Sequence, residues 1–274
     1  MRMATATSID ELAKETLDAL DRRRQIAPFS DRLTAFGVDE AYAIVARMRE
    51  LREARGERVV GRKIGFTNRR IWSEYGVFAP IWGYVYDTTA YDLSSVGNGF
   101  SLAAFSEPQI EPEIAFKFGA APRTGITPVE LLESIEWATH GFEIVQSIFP
   151  GWKFSAADSI ASNGLHGALL LGEQRIAPAD RNDWTRMLES FEIELSRNGE
   201  QRDRGHAANV IDGPLHALLH LIELLEHDPH NPPLAAGEII TTGTLTRAFP
   251  ALSDQRWNTV LVGIPLDGIS VAFA

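Results

Sequence analysis

From Val59 to the C-terminus the chain is a succession of short apolar runs, each closed by glycine, proline or a polar turn, a spacing that admits strands and few helices. Residues 59–66, 82–87, 110–119, 141–147 and 165–172 read as strands, as do 238–243, 258–264 and 268–274. Residues 191–202 read as a hairpin, because Asn198-Gly199 favours a type I′ turn. Two helices interrupt this part. One starts at Thr127, with Pro128 at its first position and Glu130 completing a capping box. The other runs from near Pro214 to about Glu226, and a short helix is expected over 68–76. Many short strands with few helices point to an α+β protein whose rolled or barrel-like β domain carries its helices outside.

The N-terminal part is helical. Ser8 and Glu11 form a capping box ahead of an apolar stripe of Ile9, Leu12, Ala13, Leu17 and Leu20. Asp39 is the expected cap of a second helix with Tyr42, Val45, Met48 and Leu51 on one face and Gly56 past its end. The change of period divides the chain into an N-terminal helical segment, 1–57, and a main domain, 58–274.

Composition narrows the function. The formal charge is −11, which argues against nucleic acid and against an anionic membrane surface. An anionic substrate then needs a local cation. There is no cysteine, so disulfides, thiolate zinc sites and thiol nucleophiles are excluded. The first residues show no apolar leader, and no run approaches the roughly 18–20 apolar residues of a membrane span. A cytoplasmic protein is expected.

The chemistry centres on Ile110-Glu111-Pro112-Glu113-Ile114. Side chains alternate along a strand, so Glu111 and Glu113 share one face, about 7 Å apart at Cα, while Ile114, Phe116 and Phe118 take the other. Pro112 cannot donate to a ladder, which marks an edge or an irregular position. Glu143, alone among apolar neighbours in Phe142-Glu143-Ile144-Val145, needs a partner. Three carboxylates make an all-oxygen set suited to Mg²⁺, Mn²⁺ or Ca²⁺. On spacing alone the alternative stands: Glu111 and Glu113 on a solvated face, Glu143 paired with an arginine. Lys63 lies between glycines in Gly61-Arg62-Lys63-Ile64-Gly65, where a ligand could approach, and near a metal its pKa would fall toward a usable acid/base. It also reads as a surface lysine. Thr241-Thr242-Gly243-Thr244, at a strand end, could receive a carboxylate or be an ordinary turn. His216 and His220 have metal-ligand spacing, but a solvated helix face explains them.

Taken together, these segments resemble the fumarylacetoacetate hydrolase superfamily, in its branch of 2-hydroxypenta-2,4-dienoate hydratases and 4-oxalocrotonate decarboxylases. The likeness runs through EARGERVVGRKIGFT (53–67), YGVFAPIWGYVYD (75–87), PQIEPEIAF (108–116), FEIVQSIFPGWKF (142–154), DSIASNG (158–164), DGPLHALLHL (212–221), GEIITTGTL (237–245) and GISVAFA (268–274). It implies Mg²⁺ or Mn²⁺ on Glu111, Glu113 and Glu143, and Lys63 as the catalytic lysine. Ile64, Trp82 and Asn163, on the matched segments, and Thr242 and Gly243 are the expected substrate contacts. It further implies a mixed β-roll with flanking helices, a small 2-oxo acid substrate and homo-oligomers, and leaves open a hydratase–decarboxylase complex. Three stretches depart from the family: Gly151-Trp152-Lys153 where an Asp often precedes the Trp, Ala161-Ser162-Asn163-Gly164-Leu165 where A-D-N-A-S is usual, and Pro80-Ile81-Trp82-Gly83 where hydratases read P-D-F-G.

The expected reaction is hydration of a 2-hydroxydienoate. Decarboxylation of a 2-oxo-3-hexenedioate is second and is favoured by Ile81. Hydrolysis of an acylpyruvate C–C bond is a third reading, weakened by the lack of any histidine before His140. A non-catalytic binding protein on the same fold is the alternative of another class.

Overall fold

The computed structural model describes residues 8–69, 72–97 and 99–274. The reading of residues 1–7 as free of a leader therefore lies outside the described residues, as do Arg70 and Ile71 of the expected short helix. Among the described residues no helix is long and apolar enough to cross a membrane.

Helix α1 (Ile9–Asp21) opens on the expected capping box: the Ser8 hydroxyl accepts from Glu11 N and Glu11 Oε2 accepts from Ser8 N. Its Leu12, Ala13 and Leu17 are buried against α2 (Val38–Ala54). The cap of α2 is Gly37, not Asp39: Glu40 reaches back to accept from Gly37 N at 3.0 Å, so the helix starts one residue before Asp39. Strand β1 (Val59–Gly65) follows, then one turn of helix, α3 (Trp72–Tyr75), and β2 (Ile81–Tyr86), β3 (Ala90–Asp92) and β4 (Gln109–Phe118). Helix α4 (Pro128–Leu131) has the predicted Thr127 cap. Strand β5 (Ile135–Val145) begins six residues before the expected 141, and α5 (Ala156–Ala161) and β6 (His166–Leu171) come next. After α6 (Arg181–Ser190), β7 (Glu192–Arg197) and β8 (Glu200–His206) form the hairpin, with Asn198 and Gly199 at φ 53° and 82° as a type I′ turn requires. Helix α7 (Pro214–Glu226), β9 (Ile239–Thr241), β10 (Phe249–Pro250), β11 (Arg256–Val262) and β12 (Ser270–Ala272) complete the chain.

The larger sheet has the order β2-β1-β9-β4-β5-β6-β3, with β10 on β4; the smaller is β12-β11-β7-β8. The larger sheet is mixed: β1 runs parallel to β9 and β3 parallel to β6, and its other pairs are antiparallel. It rolls up far enough for β2 to meet β6. Side-chain alternation then sorts residues into an outside and an inside. On the outside, Ile64, Trp82, Tyr84, Ile114, Phe116 and Phe118 pack under the helices. Ile110, Phe142, Ile144 and Leu170, also outside, pack on Leu195 and Trp257 of the small sheet. On the inside, Val85, Ala115, Leu169 and Leu171 plug one end of the roll. Lys63, Glu113 and Glu143 share that inner face farther along. The apolar residues of α1 and α2 belong to the same cluster as the outer face of β1, β2 and β4.

The roll needs two backbones in close contact at Gly61. A Cβ there would stand 1.8 Å from the Ile239 carbonyl oxygen of β9. Gly61→Ala should therefore destabilise the protein by about 2–3 kcal/mol by overpacking, read as a lower urea midpoint; an unchanged midpoint would show that β1 and β9 are not in this register.

Candidate metal centre

The register of two strands builds the site. Glu111 and Glu113 project from one face of β4, and Glu143 on β5 stands directly opposite Glu111. The residue opposite Glu113 is Gly141, which leaves the space between the strands open. One carboxylate oxygen from each of the three lies within 4.8 Å of the others. Pro112 falls where the ladder is interrupted: β9 pairs with Ala115–Lys117 and β10 with Gln109–Ile110, and the 242–246 loop fills the gap. There Leu245 N donates to the Pro112 carbonyl. The missing N–H of Pro112 therefore costs no strand pairing.

Two of the three carboxylates are held by protein groups. Gly243 N donates to Glu113 Oε2 at 2.8 Å, and the other oxygen of Glu113 is buried with no hydrogen-bond partner among the described residues. Gly243 sits at φ 93°, and a Cβ would fall 1.9 Å from the Thr67 hydroxyl, so glycine is required to aim that N–H. Thr242 is spent on the backbone: its N–H and hydroxyl both donate to the Ile114 carbonyl. Glu143 Oε1 lies 2.9 Å from His166 Nδ1, and His166 Nε2 lies 2.9 Å from the Thr89 hydroxyl. Burial, with Lys63 and Arg52 nearby, holds His166 far below its usual range and hence neutral. A carboxylate needs a donor, which assigns the proton to Nδ1. Lys63 Nζ is 3.2 Å from Glu143 Oε2 and donates to the Gly164 carbonyl at 3.1 Å.

Charge is unbalanced. Burial pushes the Glu111 carboxyl up to about 8; Lys63 opposes the rise, and Glu113 and Glu143 add to it. Burial and the neighbouring Glu143 drive Glu113 well above its ordinary value, and burial raises Glu143 against the pull of Lys63. Burial alone would lower Lys63, but Glu143, Glu111 and Glu113 more than offset it and the ammonium is stabilised. The lowering expected of Lys63 near a metal is thus absent with the carboxylates alone. One cation cannot neutralise three carboxylates, and a divalent cation would complete the balance.

A cavity of about 230 Å³ opens onto Glu111 and Gly243. Phe66, Trp152 and Leu165, on its wall, all have φ between 53° and 65°, left-handed conformations that store strain at sites where the surroundings over-determine the backbone. The diverged 161–165 segment contributes the Gly164 carbonyl to Lys63 and the Leu165 side chain to the wall.

The structure brings together Lys63, Glu111, Glu113, Glu143 and Gly243. It does not bring Ile64 or Trp82 to the cavity. Alternation places Ile64 on the face opposite Lys63, and Trp82, its partner on β2, stacks on Tyr42 with ring centroids 5.2 Å apart. Asn163 is occupied elsewhere: its side chain accepts from Tyr84 N and donates to Tyr84 O, both at 2.8 Å. His216 and His220 are half-buried rather than solvated, and among the described residues no third ligand joins them. His166, Thr89 and Trp152 were missed as site residues. A histidine heading the wholly apolar run of β6 was the available signal, since it needs a partner.

The raised carboxyls set a pH dependence. A folded-state pKa above the unfolded value means that the folded state binds more protons between the two, so the carboxyls' contribution to stability falls as pH rises from about 4.5 to about 8. Protein freed of metal by EDTA should unfold at lower temperature at pH 8 than at pH 6, and Mg²⁺ or Mn²⁺ should restore more stability at pH 8. Calorimetry showing equal effects of the ion at both pH values would contradict this charge balance.

Comparison with known proteins identifies the family. Residues 84–259 match the family model "Fumarylacetoacetate (FAA) hydrolase C-terminal". A 2-hydroxyhexa-2,4-dienoate hydratase of Comamonas testosteroni is 30% identical over 263 residues, covering 96% of this chain and 97% of that protein. A 2-hydroxypent-2,4-dienoate hydratase of Pseudomonas putida is 31% identical over 81% of this chain and 97% of its own. Among solved structures, the 4-oxalocrotonate decarboxylase of Pseudomonas putida G7, complexed with magnesium and adipate, superposes with a TM-score of 0.88 over 100% of both chains at 23% identity. The chain belongs to the fumarylacetoacetate hydrolase family.

Proposed function

We propose that this protein is a divalent-metal-dependent lyase for 2-hydroxydienoate and 2-oxo acids, in first place a hydratase of the 2-hydroxypenta-2,4-dienoate type from aromatic-compound breakdown. The observation that carries the reading is the convergence of Glu111, Glu113 and Glu143, with Glu111 on the cavity wall and Lys63 against Glu143. Relatives named as hydratases along nearly the whole chain support the reaction class.

The residues fit a hard divalent ion. They offer only carboxylate oxygens, and Glu113 Oε1 is buried with no partner among the described residues. Glu111, Glu113 and Glu143 would hold Mg²⁺ or Mn²⁺. Bound there, the ion supplies Lewis-acid stabilisation to negative charge on the carboxylate and C2 oxygen of a 2-oxo acid. His166 fixes the Glu143 carboxylate, and Gly243 N–H fixes that of Glu113, so neither reorients when substrate enters. Lys63 donates to the Gly164 carbonyl and is ion-paired with Glu143, which leaves its ammonium a donor for the substrate. In hydration the 2-hydroxydiene takes a proton on carbon, and water adds to the conjugated 2-oxo acid; Lys63 is our candidate for that proton transfer. The buried inner face excludes bulk water from Lys63.

Decarboxylation is the second reading, favoured by Ile81. Ile81 pairs with Gly65 on the face that carries Lys63, so the position where hydratases resemble P-D-F-G offers Lys63 no carboxylate here. The proposal includes a helical segment 1–57 covering a catalytic domain 58–274, and a cytoplasmic homo-oligomer.

The test is the ultraviolet absorbance of 2-hydroxypenta-2,4-dienoate and of 2-oxo-3-hexenedioate with purified protein and Mg²⁺, with carbon dioxide measured alongside. Metal-dependent loss of the first without carbon dioxide supports hydration; carbon dioxide from the second supports decarboxylation; unchanged absorbance of both sinks the enzyme reading. Glu113→Gln should abolish Mg²⁺ binding while the protein stays folded. Lys63→Met should lower kcat by about 10²–10⁴ while metal still binds; a Lys63→Met enzyme of normal kcat would remove Lys63 from the mechanism.

A further inference from the structure

We propose that Thr241 is a positioning residue of the metal centre: its hydroxyl holds one water molecule on the floor of the site, bound to the same divalent ion as Glu111, Glu113 and Glu143. The inference rests on the metal reading of those three glutamates.

Register places Thr241 there. It pairs with Lys63 of β1 on one side and with Ala115 of β4 on the other. Paired residues present their side chains to one face, so Thr241 shares the inner face of the roll with both. Ala115 belongs to the apolar plug, and Ile239 packs against it. Two residues beyond Thr241, Gly243 N donates to Glu113 Oε2. Thr241 therefore stands at the step between the plug and the carboxylates. Glu113 is its diagonal neighbour across β4 and β9, a separation of about 7–8 Å at Cα that a long side chain and one water can span.

No protein group claims the hydroxyl. Thr241 is 1% exposed, yet its Oγ1 has no hydrogen-bond partner among the described residues. The threonines around it are all spent on carbonyls: Thr67 donates to Thr242, Thr242 to Ile114, Thr244 to Thr246 and Thr246 to Arg247. Lys63 is engaged elsewhere, at Gly164 and Glu143. Its Nζ lies over Gly65, where a Cβ would stand 2.8 Å from it. A buried hydroxyl without a partner is destabilising, and a valine of the same shape would fill this place beside the plug without that cost.

Coordination gives the hydroxyl its partner. Mg²⁺ takes six oxygens in a near-ideal octahedron and dehydrates reluctantly. One oxygen from each glutamate and two from a 2-oxo acid make five of them. The sixth falls to water, and a buried water needs polar partners of its own. The Thr241 hydroxyl, both donor and acceptor, supplies one on the side facing the plug.

Calorimetric titration of Mg²⁺ into protein freed of metal by EDTA and dialysed tests the assignment, with thermal unfolding of the same samples alongside. Thr241→Val should weaken Mg²⁺ binding about ten- to a hundredfold, and Thr241→Ser, which keeps the hydroxyl, should stay within about threefold of the parent. Metal-free Thr241→Val should unfold at the parent's temperature or above it, because the hydroxyl it loses has no protein partner. A valine variant that binds Mg²⁺ as tightly as the parent overturns the inference and leaves the metal reading standing. A serine variant as weak as the valine one, or a metal-free valine variant that unfolds at lower temperature, also overturns it, since Thr241 then acts through packing. If the parent protein binds no Mg²⁺, the metal reading falls and the inference falls with it.

Discussion

Three glutamates on the inner face of a rolled sheet repel one another, and the rest of the site is an answer to that repulsion. Glu113 and Glu143 are fully buried, where an unpaired carboxylate is costly. Lys63 offsets part of the charge. Gly243 N–H and His166 supply directed donors to Glu113 and Glu143. What remains is an excess negative charge at a point where three oxygens converge, which is the electrostatic definition of a cation site.

The roll makes this arrangement possible. Lys63 on β1 and Glu143 on β5 are three strand steps apart, about 14 Å across a flat sheet. Their side chains nevertheless meet at 3.2 Å. Curling brings the inner faces together, and glycines remove the atoms that would prevent it. At Gly83, opposite Lys63, a Cβ would stand 2.2 Å from the Asn163 carbonyl, so α5 and the turn after it can approach β2 and present Gly164 O to the lysine. The helices and the small sheet cover the outside with apolar contacts and leave the inside to chemistry.

Much of this was legible in residue order. Period-2 alternation put Glu111 and Glu113 on one face, and the capping boxes at Ser8 and Thr127 fixed two helix starts. The same alternation, applied to β1 and β2, would have put Ile64 and Trp82 on the helix-covered side; family likeness alone kept them as substrate contacts. Asn163 carries a left-handed backbone at φ 60° and bridges Tyr84, a role visible only once α5 and β2 are neighbours. The pairing of Glu111 with Glu143 depends on strand register, which no local pattern encodes. Strands β3 and β10 are three and two residues long, too short for any period to show. Helix α6 had a signal that went unread, Asp180 capping Asp183 N ahead of Trp184 and Leu188.

The central claim is that Glu111, Glu113 and Glu143 hold one divalent ion. Anomalous diffraction from crystals soaked in Mn²⁺ tests it most directly. One peak should stand within about 2.0–2.6 Å of an oxygen from each of the three carboxylates. An empty site under saturating Mn²⁺, or a peak at His216 and His220 instead, would contradict the account.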